Sequence, residues 1–186
     1  MAYRFSTEQW LPAPIDDVFA FFSDVENLLR IEPEPLRVRI EEKDLVAPAD
    51  VPARFRNRAA SFLGTGSQVV LSYCLPFLPF WRRRHRAYIT EYRWAHHFCD
   101  EHHSWLMSWE HRHEFTPLVR DGVAGTLVRD MVDYKLWPEL PGRFAHALFA
   151  RQLVRDAFSY RHRALMQIVN AGALLGRGFV PQVKTA

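Results

Sequence analysis

The sequence predicts an α+β domain in which a curved antiparallel sheet wraps around one long C-terminal helix. Three observations support this prediction. From the middle of the chain onward, segments of alternating polar and apolar residues are separated by short turns, as in an antiparallel meander. Pro138 and Pro141-Gly142 end this strand pattern, and a long segment with helical apolar spacing follows. A one-sided sheet and an amphipathic helix bury their apolar faces against each other.

The individual strands are assigned from alternation and from the turn residues that bound them. The stretch LRVRIEEKDL is the clearest example, with apolar and charged residues in alternation. Two short helices are predicted after the first strand, because Asp16 and Asp17 stand where acidic residues favour a helix start. The second covers about 24–30, and Pro33 and Pro35 close it. The predicted strands are 3–11, 36–45, 67–75, 82–93, 95–102, 104–115 and 123–136.

Two connections depart from this regular pattern. Residues 47–66 are rich in Pro and Arg and have no clean period, so they are predicted to be irregular, with a short strand near 53–58. Residues 75–81, LPFLPFW, are predicted to be an apolar loop. Such a loop covers the protein's own core, closes a ligand cavity or touches a membrane.

The last regular element is predicted from Arg143 to about Asn170. Viewed down a helix, its polar residues cluster on one side and its apolar residues cover the other, so we expect it to pack against the sheet. No linker or repeat divides the chain. Residues 1–175 are therefore predicted to form a single domain, followed by a loose tail at 176–186.

Composition excludes several classes of protein. The net charge of +3 is weak, and the one basic cluster, 82–86, would be split between two faces of a strand, so nucleic acid is not an expected partner. Cys74 and Cys99 lack the spacing of a metal or redox motif and fit a reducing compartment. The N-terminal residues do not resemble a signal peptide and no apolar run reaches 18 residues, so a cytoplasmic location is predicted.

The stretch SWEHRHEF, residues 108–115, carries the most informative pattern. Trp109, His111, His113 and Phe115 share one parity, whereas the charged residues share the other. Because side chains alternate between the faces of a strand, the two histidines are expected on the inner, apolar face. The pattern is compatible with a metal site, a catalytic base or a polar spot in a ligand pocket.

Two further residues are candidates for the same polar spot. In the next strand Asp130 and Tyr134 share a parity, and a hairpin register sets that parity beside the histidines. A buried carboxylate needs a partner, and an adjacent imidazole is a natural one. In the last helix Arg161 falls within the apolar face, where it either reaches the edge or meets an acid such as Asp130 or Glu110.

A metal is not predicted, because the two histidines have no apparent third ligand. The adjacent pairs His96-His97 and His102-His103 are predicted to be turn residues. A His–Asp pair suits acid–base catalysis, since histidine titrates near neutrality and a carboxylate fixes its tautomer. The same residues are also expected of a polar network that only ties the helix to the sheet.

Four segments, in order, resemble one family: APIDDVFAFFSDVENLLRI, SWEHRHEF, GTLVRDMVDYKLWP and RQLVRDAFSYRHRAL. The chain resembles the SRPBCC superfamily, the START-like or birch-pollen-allergen-like helix-grip proteins. It is most similar to the polyketide-cyclase/dehydrase-like or CoxG-like branch. The resemblance runs from about residue 3 to 168. It implies a helix-grip fold with a seven-stranded sheet, and an apolar cavity that binds a lipid-like or polycyclic molecule.

The lead hypothesis is therefore binding of a hydrophobic small molecule or lipid between the sheet and the last helix, with no cofactor. The first alternative is a small cyclase/dehydratase-type enzyme in which His111 or His113 works with Asp130. The second is a lipid or quinone chaperone that touches membranes through residues 75–86. The expected ligand-binding residues are Trp109, His111, His113, Asp130, Tyr134, Phe149, Arg161, Phe77 and Trp81.

Overall fold

Seven antiparallel strands form one curved sheet within the part of the chain described by the structure, a computed structural model covering residues 2–75, 78–103, 107–136, 143–176 and 179–183. The strands are β1 (Ala2–Leu11), β2 (Arg39–Asp44), β3 (Gln68–Leu75), β4 (Leu78–Arg93), β5 (His97–His103), β6 (Met107–Arg120) and β7 (Val123–Leu136). Their spatial order is β1-β7-β6-β5-β4-β3-β2. Strands β2 to β7 thus form a meander, and β1 joins it beside β7.

The helices are α1 (Ile15–Ser23), α2 (Leu28–Ile31) and α3 (Arg143–Asn170), with 3-10 turns at Val25–Asn27, Glu34–Leu36 and Ala53–Ser61. Asp16 and Asp17 lie in the first turn of α1, where carboxylates stabilise the helix N-terminus. The predicted order of strand, short helices, sheet and long final helix is confirmed. None of the helices among the described residues has the length and apolar character needed to cross a membrane.

Turn geometry fixes the register between β6 and β7. Asp121 and Gly122 both have positive φ values, 50° and 78°, which suits a two-residue hairpin turn. The turn pairs Arg120 with Val123, and the register then continues without a shift along both strands. It places His113 directly opposite Asp130.

The hydrophobic core lies between α1, the second half of α3 and the neighbouring strands. Phe19 of α1 is fully buried and packs against the rings of Tyr92, Trp94, Phe98 and Phe115. Tyr160, Ala164, Leu165 and Ile168 bring α3 into the same cluster. Residues 179–183 lie beside the end of α3, where the backbone N–H of Gln182 donates to Gln167 Oε1 at 2.7 Å. One end of the sheet is therefore closed by tight aromatic packing.

Three local predictions are wrong. Residues 53–58 belong to the 3-10 turn Ala53–Ser61, because Pro52 starts a helical turn and the segment lacks strand alternation. Residues 78–81 begin β4 instead of completing a loop, since Leu78 pairs with Leu75; residues 76–77 lie outside the described part. His102 and His103 are not in a turn but extend β5, where pairing with β4 and β6 continues on both sides.

Candidate functional site

An apolar cavity of about 400 Å³ lies between the concave face of the sheet and the middle of α3, residues 150–165. Apolar side chains from β3, β4, α2 and α3 form most of its lining, for example Leu71, Ile89, Leu28 and Leu153. One stretch of its wall is polar. This His–Asp cluster is defined here as Asp100, His102, His111, His113 and Asp130.

Strand register assembles the cluster from three adjacent strands. In the middle strand, β6, His111 and His113 are two residues apart and so share the inner face. Asp100 of β5 lies directly opposite His111, and Asp130 of β7 lies directly opposite His113. His102 is two residues beyond Asp100 on the same face. The cluster is thus held by regular sheet pairing, which is a rigid support.

Asp130 contacts both histidines of β6. Its Oδ1 lies 3.1 Å from His111 Nε2, within a buried hydrogen bond, and 2.6 Å from His113 Nδ1. All three residues are buried. The imidazole rings of His111 and His113 are 3.8 Å apart between centroids, and Phe98 stacks on His113 at 4.2 Å. Asp130 therefore sets the orientation of both rings from the side of β7.

Asp100 approaches the same histidines from the side of β5. Its Oδ2 lies 3.7 Å from His111 Nδ1 and 3.7 Å from His113 Nε2, which is beyond hydrogen-bond distance. Its other oxygen, Oδ1, is 2.5 Å from His102 Nε2. The two aspartates thus lie on opposite sides of the imidazole pair.

Burial and these contacts shift the pKa values of His111 and His113 in opposite directions. Burial, and then the charge of His113, lowers the pKa of His111 to about 4 against the opposing effect of the two carboxylates. Burial also opposes the charged form of His113, but the Asp130 and Asp100 carboxylates outweigh it and raise its pKa. Burial would raise the pKa of Asp130, yet His113 and His111 hold it well below its ordinary value. The cluster therefore favours two carboxylates with one cationic and one neutral imidazole between them.

His85 extends the polar wall onto β4. Its ring lies 4.7 Å from that of His102 and 5.3 Å from that of Tyr73, measured between centroids. Burial, and then the proximity of His102, lowers the pKa of His85 to about 4. A neutral His85 consequently lines the cavity next to the His–Asp cluster.

Arg161 of α3 enters the cavity from the helix side and pairs with Glu32, which directly follows α2. The expectation that Arg161 would meet Asp130 or Glu110 is wrong. Glu32 is the acid that meets Arg161 because α2 packs directly against α3. Burial lowers the pKa of the guanidinium, but Glu32 outweighs this effect and the net pKa of Arg161 is raised. The guanidinium also lies 5.2 Å from the Phe158 ring centroid.

Several polar atoms on the lining lack a hydrogen-bond partner within the described part of the chain. They are Gln9 Oε1, His85 Nδ1, Arg161 Nε, His162 Nε2 and His113 Nδ1, the last of which contacts Asp130 Oδ1 at 2.6 Å without hydrogen-bond geometry. Buried polar atoms in folded proteins almost always have partners, so unsatisfied ones in a cavity mark positions where a ligand or water can bind.

Most of the expected ligand-binding residues do line this cavity. They are Trp109, His111, His113, Asp130, Tyr134 and Arg161. Trp81 does not: it lies near the tip of the β3–β4 hairpin, is 55% exposed and stacks with the Arg83 guanidinium, because this hairpin extends past the cavity. Phe77 and the side chain of Phe149 lie outside the described residues.

Sequence reasoning missed Asp100, His102 and His85. His102 was missed because the adjacent histidines at 102–103 have the composition of a turn. Asp100 falls within the predicted strand 95–102, but the sequence does not set the register that pairs it with His111. The signal was present in the alternation of Phe98, Asp100 and His102, whose spacing repeats that of SWEHRHEF. His85 was masked by the arginines on either side of it.

No protein-family model and no curated protein sequence matches the chain. Solved structures do match it. A START superfamily protein from Mycobacterium smegmatis aligns over 90% of this chain and 97% of its own length, with a TM-score of 0.60 and 15% identity. Ara h 8.0201 aligns over 95% of this chain and 100% of its own, with a TM-score of 0.55 and 12% identity. The chain has an SRPBCC-type fold.

A polyketide-related structure shares the same architecture. The di-domain ARO/CYC BexL from the BE-7585A biosynthetic pathway matches 92% of this chain but 50% of its own length, with a TM-score of 0.59 and 16% identity. These structural alignments establish the SRPBCC-type helix-grip fold. At identities this low they do not establish a function, which has to be argued from the residues of the cavity.

Proposed function

We propose that this SRPBCC-type protein binds a hydrophobic small molecule or lipid in the cavity between the sheet and α3. The cavity itself is the observation that carries the proposal. Its volume of about 400 Å³ falls within the range of small-molecule sites, roughly 300–1,000 Å³. Its lining is mostly apolar, as expected when burial of apolar ligand surface supplies most of the binding free energy.

The polar residues of the lining support a ligand that is apolar over most of its surface and carries a few oxygen groups. The unpartnered Arg161 Nε is a donor, Gln9 Oε1 is an acceptor, and the imidazoles of His85 and His162 can act as either. A few such groups in an apolar pocket fix the orientation of a ligand. The structural likeness to a START superfamily protein and to an ARO/CYC protein agrees with this class of ligand. Acid–base catalysis by His111 or His113 with Asp130 stays a prediction.

The proposal is tested by filling the cavity from α3. Ala157 lines the cavity, whereas Ser159, two residues further along α3, is exposed. Native mass spectrometry of freshly purified protein should show a bound compound, and binding of the apolar fluorophore anilinonaphthalene sulfonate should compete with it. Ala157→Trp should abolish both signals, whereas Ser159→Trp should retain them. Equal binding by the two folded variants would refute a cavity ligand.

A second candidate function, contact with a membrane, is favoured by the tip of the β3–β4 hairpin. Phe80 is 99% exposed and Trp81 is 55% exposed, and Arg82, Arg83 and Arg84 follow at once. Exposed aromatic residues beside cations suit the interface of an anionic bilayer. In flotation with phosphatidylserine-containing vesicles, Phe80→Ser with Trp81→Ser should release the protein. Val119→Ser, at the exposed β6–β7 tip, is the matched control and should not.

A further inference from the structure

We propose that Asp100, His111 and His113 hold a divalent first-row transition-metal ion in the polar wall of the cavity. One donor atom from each of the three residues lies within 4.8 Å of the other two. The sequence pattern predicts no metal because it shows no third ligand, and β5 supplies that ligand as Asp100. Two imidazoles and one carboxylate form a donor set that suits zinc, iron or cobalt.

The distances around Asp100 fit a shared ion better than a hydrogen bond. Asp100 Oδ2 is 3.7 Å from His111 Nδ1 and equally 3.7 Å from His113 Nε2. A hydrogen bond would bring at least one of these pairs to about 3 Å. Two donors bound to one ion at about 2.1 Å, with a roughly tetrahedral angle, are about 3.4 Å apart. The two Asp100–histidine distances would therefore need to shorten by only a few tenths of an ångström, and the two imidazole donors already lie within 4.8 Å of each other.

The groups behind the three ligands have the arrangement expected of outer-shell support. Asp130 Oδ1 contacts His111 Nε2 and His113 Nδ1, the ring nitrogens that face away from Asp100. A carboxylate in that position fixes the tautomer and orientation of a metal-binding imidazole. His102 Nε2 does the same for Asp100 by holding Oδ1, so that Oδ2 points towards the histidines.

Charge balance gives the cluster a further reason to hold a cation. Asp100 and Asp130 are both buried, and a buried carboxylate is costly without a compensating charge. The one cationic imidazole between them, His113, supplies a single positive charge, whereas a divalent ion bound to the neutral imidazoles would supply two. Arg161, the nearby cation of α3, is already paired with Glu32. An ion held by three protein ligands would compensate the two aspartates and keep coordination positions open towards the cavity, where an oxygen donor of a small molecule can bind.

Binding of the metal ion can be measured without any cavity ligand, so the metal site does not depend on the proposed ligand-binding function. Chelator-treated full-length protein should bind one equivalent of Zn²⁺ in a calorimetric titration. It should also bind one equivalent of Co²⁺, with the d–d absorption of nitrogen and oxygen ligation. Metal binding should persist in Ala157→Trp, which blocks only the apolar cavity; loss of ligand binding with metal binding intact separates the two proposals.

Two variants and one control test whether the metal ion binds at these residues. Asp100→Asn should weaken Zn²⁺ binding by more than about 100-fold, and Asp130→Asn by about 10–100-fold, the range for outer-shell partners. His97→Gln, on the outer face of β5 beside Glu91, is the control and should bind as the wild type does. Equal affinity in Asp100→Asn and His97→Gln would overturn the proposal. So would wild-type protein that binds no Co²⁺, a result that does not require any variant to fold.

Discussion

The two faces of β6 both carry charged and ionisable groups, but in opposite surroundings. On the inner face His111 and His113 are buried against Asp130, with Asp100 beyond them. On the outer face Arg112 contacts Glu91 and Glu114, with all three side chains at least one-third exposed. Water screens the outer pairs, whereas the inner groups depend on one another for every compensating charge. Similar contacts therefore differ in energy because of their burial.

The largest expected effect is the removal of the inner carboxylate. Asp130→Ala takes away the group that contacts both imidazoles and leaves them buried beside Asp100 alone. We expect a loss of about 3–5 kcal/mol in the free energy of unfolding, typical of breaking a buried ionic network. Glu114→Ala on the outer face should cost no more than about 1 kcal/mol. Urea denaturation of both variants measures the contrast, and equal losses would contradict it.

Arg161 and Glu32 provide an intermediate case, because their side chains are 23% and 9% exposed. Arg161→Met should destabilise the protein by about 2–3 kcal/mol, less than a fully buried pair, since Glu32 is left without its partner. Adding Glu32→Gln removes the stranded charge, so the double variant should be more stable than Arg161→Met. A thermodynamic cycle of thermal unfolding gives the coupling, and purely additive losses would show that the two residues do not interact.

The pH dependence of the free energy of unfolding tests the role of His85 on the inner face of the sheet. Its pKa, lowered to about 4 by burial and by His102, is below the unfolded value of about 6.5. The unfolded chain therefore takes up the proton first, and stability is lost as the pH falls from about 6.5 towards 4. His102, Asp100 and Tyr73 face this ring. Between pH 7 and pH 5, His85→Gln should lose about 1–2 kcal/mol less stability than the wild type. An identical pH dependence in the two proteins would disprove this role.

The sequence was sufficient for the parts of the molecule that depend on local periodicity. The span of α3, the inner position of His111 and His113, and the place of Asp130 beside these histidines all follow from alternation, helical spacing and a short turn. The partner of Arg161 did not follow, because Glu32 is distant in sequence and reaches Arg161 through the packing of α2 on α3. Asp100 also needed tertiary information, since alternation within the predicted strand 95–102 does not set the register between β5 and β6.

The smallest expected effect is on the outer face itself. Arg112 Nη1 lies 2.6 Å from Glu91 Oε2, and Arg112 Nε lies 3.2 Å from Glu114 Oε1, so the contacts are short. Exposed pairs nevertheless contribute little, because the charges are well solvated when apart. Arg112→Ala should therefore change the free energy of unfolding by no more than about 1 kcal/mol. Even this difference should shrink in about 1 M salt, where screening acts over roughly 3 Å. A larger loss that persists in salt would mean that burial does not distinguish the two faces of β6.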